Sequence, residues 1–378
     1  MTAPDPSEPF FYRPILSERF GKPAEIAGAV VVLASDESAF TVGSELIING
    51  GVSLWRILDH LQAEEELAVK AARIHSFGPP DVVVVEEVPA PSPGCGEVLV
   101  RVMAAGVAPW DAIIREGKSK VSPQPPLTLG SDLSGVVEKV GPGVTDFAPA
   151  DQVYGVTNPQ FCGAQAEFAV ATAGMVARKP QSLNYLEAAS APVIAVTAWQ
   201  MLFQYAKAMR GQTVMVVGAA GNVGAYAVQM AAGAGIHVVA IARLDDQVLL
   251  RSLGVRSIID SSQPAFEQDL PQVDAILDTV GGSTLQRCVA RLKPGGTLVT
   301  SVSTQPQPAG AVFFYAEVTT ARLQTLTTLF DAGRITARVG SILQLSEARQ
   351  AQAMLAGAPH KSGKIVLQIG RPQQNRDG

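Results

Sequence analysis

The spacing of hydrophobic positions along this chain changes twice. Over 70–191 apolar and polar residues alternate in short runs, as at 82–87, 97–104 and 135–140, with Gly and Pro turns between them. That pattern predicts a β-rich region. From 192 to about 336, apolar runs at 213–217, 237–242, 257–260, 275–278 and 297–301 are separated by helical or loop stretches. This predicts a doubly wound parallel sheet. The tail returns to strand, helix and strand at 339–343, 346–355 and 364–369. Near the N-terminus the pattern predicts one helix, 23–34, and one strand, 45–48, followed by an acidic linker at 59–66. The expected class is α/β, with a β-rich second domain and a short α+β N-terminal extension.

The run from Val214 to Gly224 breaks from an apolar strand into small residues and then into an Ala/Val helix with Val223, Ala227, Met230 and Ala231 on one face. Such a junction is built to hold a dinucleotide pyrophosphate. Small residues at Ala219, Gly221 and Gly224 would allow, in turn, a tight turn, close backbone approach to the phosphates and tight packing of helix on strand. The free N–H groups of the helix start would face the anion. The predicted cradle is therefore Gly218, Ala219, Ala220, Gly221, Asn222, Val223 and Gly224. The adenosine ribose should meet the end of the next strand, where a carboxylate suits a free 2′-hydroxyl and a guanidinium suits a 2′-phosphate. That strand ends at Arg243, which favours NADPH over NADH. Asp245 and Asp246 follow and would serve NAD if the loop folded back.

Bulk properties narrow the picture. A chain of 378 residues is too long for one compact core, so two or more domains are expected. A net charge of -5, with no run of Lys and Arg, argues against a nucleic-acid partner. Cys95, Cys162 and Cys288 lie far apart without Cys-x-x-Cys spacing, so neither a disulfide framework nor a structural zinc site is expected. The start of the chain has no basic stretch or apolar signal core. The longest apolar stretch, 188–203, is cut by Ser190, Pro192, Thr197 and Gln200. No membrane association and a cytoplasmic location are expected.

Seven segments then carry a resemblance: Lys70-Ala-Ala-Arg-Ile-His-Ser-Phe-Gly, Gly96-Glu-Val-Leu-Val-Arg-Val, Leu129-Gly-Ser-Asp-Leu-Ser-Gly-Val-Val, Ala150-Asp-Gln-Val-Tyr-Gly, Ala188-Ala-Ser-Ala-Pro with Thr197-Ala-Trp, Leu277-Asp-Thr-Val-Gly-Gly, and Gly363-Lys-Ile-Val-Leu. Across about 69–370 the chain resembles the zinc-independent quinone oxidoreductase (zeta-crystallin-like) branch of the medium-chain dehydrogenase/reductase superfamily. The resemblance implies a GroES-like substrate domain from 69–191 and 337–378, a Rossmann domain at 192–336, and a cofactor in the cleft. Zinc-bearing relatives have a Cys after Gly-Val and later a Gly-His-Glu. Here Ala108 follows Gly106-Val, and Gly130-Ser-Asp132 stands at the second position, so no metal is expected.

Without a metal to stabilise an alkoxide, the implied direction is hydride transfer from NADPH to a quinone or α,β-unsaturated carbonyl. Rate would come chiefly from holding two π-systems together in a dry cleft. Tyr154 is a candidate proton donor or pocket wall, and Trp110 a stacking surface for a flat substrate; for both, local packing is the alternative. Thr197 resembles the family threonine near the nicotinamide. Ser301, Val302 and Ser303 follow the strand whose backbone meets the carboxamide, and Lys364 resembles a C-terminal lysine that approaches the cleft. Departures from the family are Ala108 in place of an Asn, Lys118 where a Tyr often stands, and Asp260-Ser261 where a Tyr often follows the third strand. They leave open an enoyl-thioester reductase, a zinc-free alcohol dehydrogenase, and a non-catalytic NADPH-binding sensor or structural protein. Family analogy admits a homodimer.

The first 66 residues are a separate case. Segments beginning at Arg19, Leu33 and Gly43 resemble the C-terminal end of a short-chain dehydrogenase/reductase, yet no Tyr-x-x-x-Lys occurs in the chain. Residues 1–68 are read as a fused remnant and linker, or as a cap on a sheet edge or an oligomer contact.

Overall fold

The computed structural model describes residues 67–303 and 307–370, and the predicted helix at 23–34 and strand at 45–48 lie outside them. The first half is β-rich: β1 (Ala68–Ile74), β2 (Val83–Pro89), β3 (Glu97–Val107), α1 (Pro109–Arg115), β4 (Leu127–Thr128), β5 (Asp132–Val140), β6 (Gln152–Val156), β7 (Phe168–Thr172) and β8 (Val176–Arg178). Two helices, α2 (Tyr185–Ala189) and α3 (Pro192–Trp199), lead out of it. Next come β9 (Thr213–Val217), α4 (Asn222–Gly233), β10 (His237–Ala242), α5 (Gln247–Ser252), β11 (Ser257–Asp260), β12 (Val273–Asp278), α6 (Gly282–Val289), β13 (Leu292–Thr300), β14 (Val312–Phe313) and α7 (Thr320–Asp331). The chain then adds β15 (Val339–Gln344), α8 (Ala348–Leu355) and β16 (Lys364–Gln368).

The second group forms a six-stranded sheet in the order β11-β10-β9-β12-β13-β14, parallel throughout. Its central strands β9, β10 and β12 are apolar on both faces because both are covered. Val214 and Val216 of β9 pack with Tyr226, Ala227 and Met230 of α4, whereas Met215 and Val217 face Phe266, Leu285 and Cys288 on the other side. Burying each Val, Met, Leu or Phe side chain among these contributes roughly 1.5–3 kcal/mol. Strand order reverses at β9, and a doubly wound sheet opens its ligand crevice at such a switch point.

The β-rich part contains a three-stranded sheet, β2-β1-β4, and a seven-stranded sheet, β15-β16-β3-β5-β6-β8 with β7 on β3. The long strand β3 accommodates both β5 and β7 through two register shifts against β5. Because β16 pairs antiparallel with β3 from Ile365↔Val107, the chain's tail is built into the sheet that its first half begins. Several elements escaped the periodicity, the short edge strand β14 among them. Helix α1 interrupts the β-rich stretch, with Pro109 at its first position and the Asp111 carboxylate accepting the Ala108 N–H at 3.0 Å. A π-helical turn, Gln200–Tyr205, ends α3.

Candidate cofactor cleft

The phosphate turn follows β9. Gly218 has φ +82°, and a Cβ there would stand 2.4 Å from Thr279 Oγ1 and 2.5 Å from Val280 Cγ2. The tight turn therefore rests on Gly218, which corrects the assignment to Ala219: only the residue with positive φ needs glycine's freedom. The Gly218 and Ala219 N–H groups both donate to the Ile241 carbonyl, at 3.0 and 3.2 Å, tying the turn to β10. At Gly224 a Cβ would lie 2.1 Å from Gly218 O. Gly221 caps α4 with no side-chain hydrogen bond, and the first bond from the helix back to it is Ala225 N–H to Gly221 O. The amides of Asn222, Val223 and Gly224 are thus left open at the positive end of a twelve-residue helix. Gly221 itself is exposed, and a Cβ there would approach only Gly218 O, at 3.2 Å. The turn fits a pyrophosphate: bare backbone, open donors, and a surface that a side chain would narrow.

At the tip of β10, Arg243 is exposed and extended, and among the described residues its side chain makes no hydrogen bond or ion pair. Asp260, at the end of the neighbouring β11, turns into its own loop, accepting from Ser262 N, Ser262 Oγ and Gln263 Nε2. Those bonds hold its carboxyl below the usual range. Ser261 closes the tip by donating its N–H and hydroxyl to the Ala242 carbonyl.

A buried carboxylate that the sequence reading passed over organises the far side of the turn. Asp278, at the end of β12, accepts from Val280 N at 3.1 Å, Gly281 N at 2.8 Å and Thr300 Oγ1 at 2.7 Å. Ser301 N–H donates to the Asp278 carbonyl and Val302 N–H to Thr300 Oγ1, so the exit from β13 is fixed up to the exposed Ser303. Thr197 lies inside α3 and donates its hydroxyl to the Val193 carbonyl at 2.7 Å.

Side chains of three separate elements, β16, β5 and α1, converge in the β-rich part. Lys364 Nζ lies 2.7 Å from Asp132 Oδ2, each side chain only 1% exposed, and 4.5 Å from the Trp110 ring centroid. Trp110 donates its indole N–H to Ser131 Oγ at 3.0 Å and meets Phe161 edge-on. Asp132 Oδ1 accepts the Val193 N–H of α3 at 3.1 Å, so the ion pair also anchors the first turn of that helix. Nearby Asp111 is fully buried, accepts from Ala108 N and Gln165 Nε2, and has one carboxyl oxygen without a partner. Burial pushes its carboxyl up to about 7.

Tyr154 stands apart from this group. It is fully buried, donates its hydroxyl to the Leu323 carbonyl at 2.7 Å, and lies 3.1 Å from Thr327 Oγ1. Burial raises its pKa above the ordinary tyrosine value. Of its two readings, these bonds support local packing: the phenol ties β6 to α7, and desolvation opposes the loss of its proton.

Parallel strands in this order with a glycine phosphate turn define a dinucleotide-binding α/β fold. Two family descriptions match the chain: "Alcohol dehydrogenase GroES-like domain" over residues 94–181 and "Zinc-binding dehydrogenase" over 253–367. The quinone oxidoreductase of Coxiella burnetii superposes with TM-score 0.73 at 29% identity, covering 80% of this chain and 100% of that one. A mycobacterial protein solved with NADPH gives TM-score 0.70 at 27% identity over 79% of this chain and 99% of its own. Human NAD(P)H oxidoreductase RTN4IP1, named as mitochondrial, is 37% identical over 230 residues. That match takes in 55% of this chain, which spans 58% of that relative's length. The chain belongs to the medium-chain dehydrogenase/reductase superfamily, and its β-rich part is the GroES-like domain beside a Rossmann-like sheet. Among the described residues, no helix is long and apolar enough to cross a membrane, and no group of three or more His, Cys, Asp or Glu could hold a metal ion.

Proposed function

We propose that this chain is an NADPH-dependent reductase of quinones or α,β-unsaturated carbonyls that works without a bound metal. The observation that carries this reading is the open turn at Gly218–Gly224, whose unbonded amides suit the cofactor's pyrophosphate. Arg243, unpaired among the described residues at the tip of β10, suits a 2′-phosphate, while Asp260, the neighbouring carboxylate, is engaged in its own loop. The bound nicotinamide would supply the hydride. This chain's residues would hold its pyrophosphate at Asn222, Val223 and Gly224 and line the dry end of the cleft with Trp110. Metal independence is supported by Ala108, which offers no ligand atom, and by Ser131, whose hydroxyl accepts the Trp110 indole. The superposition on a quinone oxidoreductase supports the acceptor class.

The test is a fluorescence titration of the full chain with NADPH and with NADH, followed by NADPH consumption with 1,4-quinones and alkyl vinyl ketones. The expected result is NADPH bound about tenfold or more tighter than NADH, with turnover indifferent to chelator. Stoichiometric zinc and turnover abolished by chelator would overturn metal independence. Binding without consumption across the panel would replace the reductase by a non-catalytic NADPH-binding protein, the reading that Ala108 in place of the family Asn favours.

A further inference from the structure

We propose that Arg338 is a ligand of the cofactor's pyrophosphate and the residue that holds the phosphate turn in its binding form; this rests on the cofactor reading above. Arg338 immediately precedes β15, and its backbone carbonyl accepts the Lys364 N–H at 3.0 Å. Its side chain reaches across to the parallel-sheet part, where Nη1 donates to the Ala220 carbonyl at 2.8 Å; Nη2 donates to Ser362 Oγ at 3.3 Å. The Ala220–Gly221 peptide is therefore fixed at both ends, its carbonyl by Arg338 and its N–H by Gly218 O at 2.9 Å. Fixing that plane holds Gly221 extended (φ −69°, ψ 173°), the conformation from which α4 starts with its amides open.

The guanidinium thus lies against the turn that would receive the anion. It is half-buried, and among the described residues no carboxylate comes within ion-pair distance and only two of its N–H groups are bonded. Burial pulls its pKa down, and the more distant Asp246 and Tyr226 oppose that only in part. The Tyr226 hydroxyl on α4 is itself buried without a partner. A desolvated cation without a counter-charge is costly, and an anion placed on the turn offsets the cost. Lys364 differs: its charge is already matched by Asp132. Because Arg338 grips the pyrophosphate turn and Arg243 lies at the strand tip, Arg338 acts on every ligand with a pyrophosphate and Arg243 on NADPH alone.

The test compares full-length wild type with Arg338→Gln, Arg338→Lys and Arg243→Gln, measuring Kd for NADPH and NADH by fluorescence and for ADP-ribose by competition. Arg338→Gln should weaken all three about tenfold or more, the scale of a lost charge-assisted hydrogen bond. Arg338→Lys, which keeps the charge but cannot serve carbonyl and phosphate together, should fall between. Arg243→Gln should weaken NADPH alone. Kd values for Arg338→Gln within twofold of wild type, or a loss confined to NADPH, would overturn the proposal. If the Gln variant does not fold, Arg338→Lys decides alone, and unchanged affinity for all three ligands overturns it. Wild type that binds none of the three ligands sinks the cofactor reading itself, an outcome distinct from a failure of Arg338.

Discussion

The phosphate turn and the Trp110 cluster of this molecule are built by opposite means. At the phosphate turn the working groups are backbone amides, left unbonded at Asn222, Val223 and Gly224 by a glycine cap without a side chain. In the Trp110 cluster the working groups are side chains already paired with each other, Lys364 with Asp132 and Trp110 with Ser131. Arg338 and Lys364 sharpen the contrast. Their backbones are hydrogen-bonded, yet one reaches for a turn with room for an anion and the other into a matched pair. The turn keeps its donors unsatisfied, and the cluster spends its charges on one another.

If that division is right, the largest loss of stability should come from the paired cluster. Lys364→Met strands Asp132 in the interior and should cost about 3–5 kcal/mol in denaturant unfolding, whereas adding Asp132→Asn should recover more than half. A cost under about 1 kcal/mol would mean that the pair is not buried as described.

The second test uses pH. Asp111 has its carboxyl raised to about 7 from 3.8, so the folded state holds the proton more tightly than the unfolded chain. Its contribution to stability is then fullest below about pH 4 and is lost as pH rises towards 7, with nothing further lost above. Three pH units correspond to about 4 kcal/mol at most. Asp111→Asn can still accept from Ala108 N and should remove this slope. Urea unfolding of both proteins from pH 4 to 8 reads the difference, and parallel profiles would refute it.

Tyr154→Phe should have the smallest effect. Removing its bond to Leu323 should cost about 1 kcal/mol. Turnover with a quinone should stay within twofold of wild type, and a hundredfold fall in kcat would restore Tyr154 as a proton donor.

Legibility along the chain followed the same division. Strands β9, β10 and β11 fall where the apolar runs place them; β9 and β10, buried on both faces, write themselves as unbroken hydrophobic stretches, while β11 at the sheet edge carries only Ile258 and Ile259. The phosphate turn was readable because Gly221 and Gly224 answer to neighbours within a few residues, whereas Gly218 is set by Thr279 and Val280 from the adjoining strand's end. Even so, the turn's weight sits on Gly218 rather than Ala219, a distinction of φ that spacing does not carry. Helix α1 was hidden by the alternation around it, although Pro109 at its first position was an available signal. Asp132 and Asp278 were visible only as letters in motifs. A carboxylate closing an apolar strand, with Val-Gly-Gly after it, was the local sign that Asp278 accepts amides from its own turn.

By itself, then, the order of residues determined the fold class, the parallel sheet and the backbone cradle at its switch point, since these depend on periodicity and on contacts close along the chain. Only the tertiary structure decided which charges are free and which are spent. Asp132 and Lys364 are 232 residues apart, and Arg338 and Ala220 are 118 apart. Whether a cation meets a carboxylate, a carbonyl or open space is set by how the tail strand β16 lies along β3, and desolvation at that seam turns the meeting into energy.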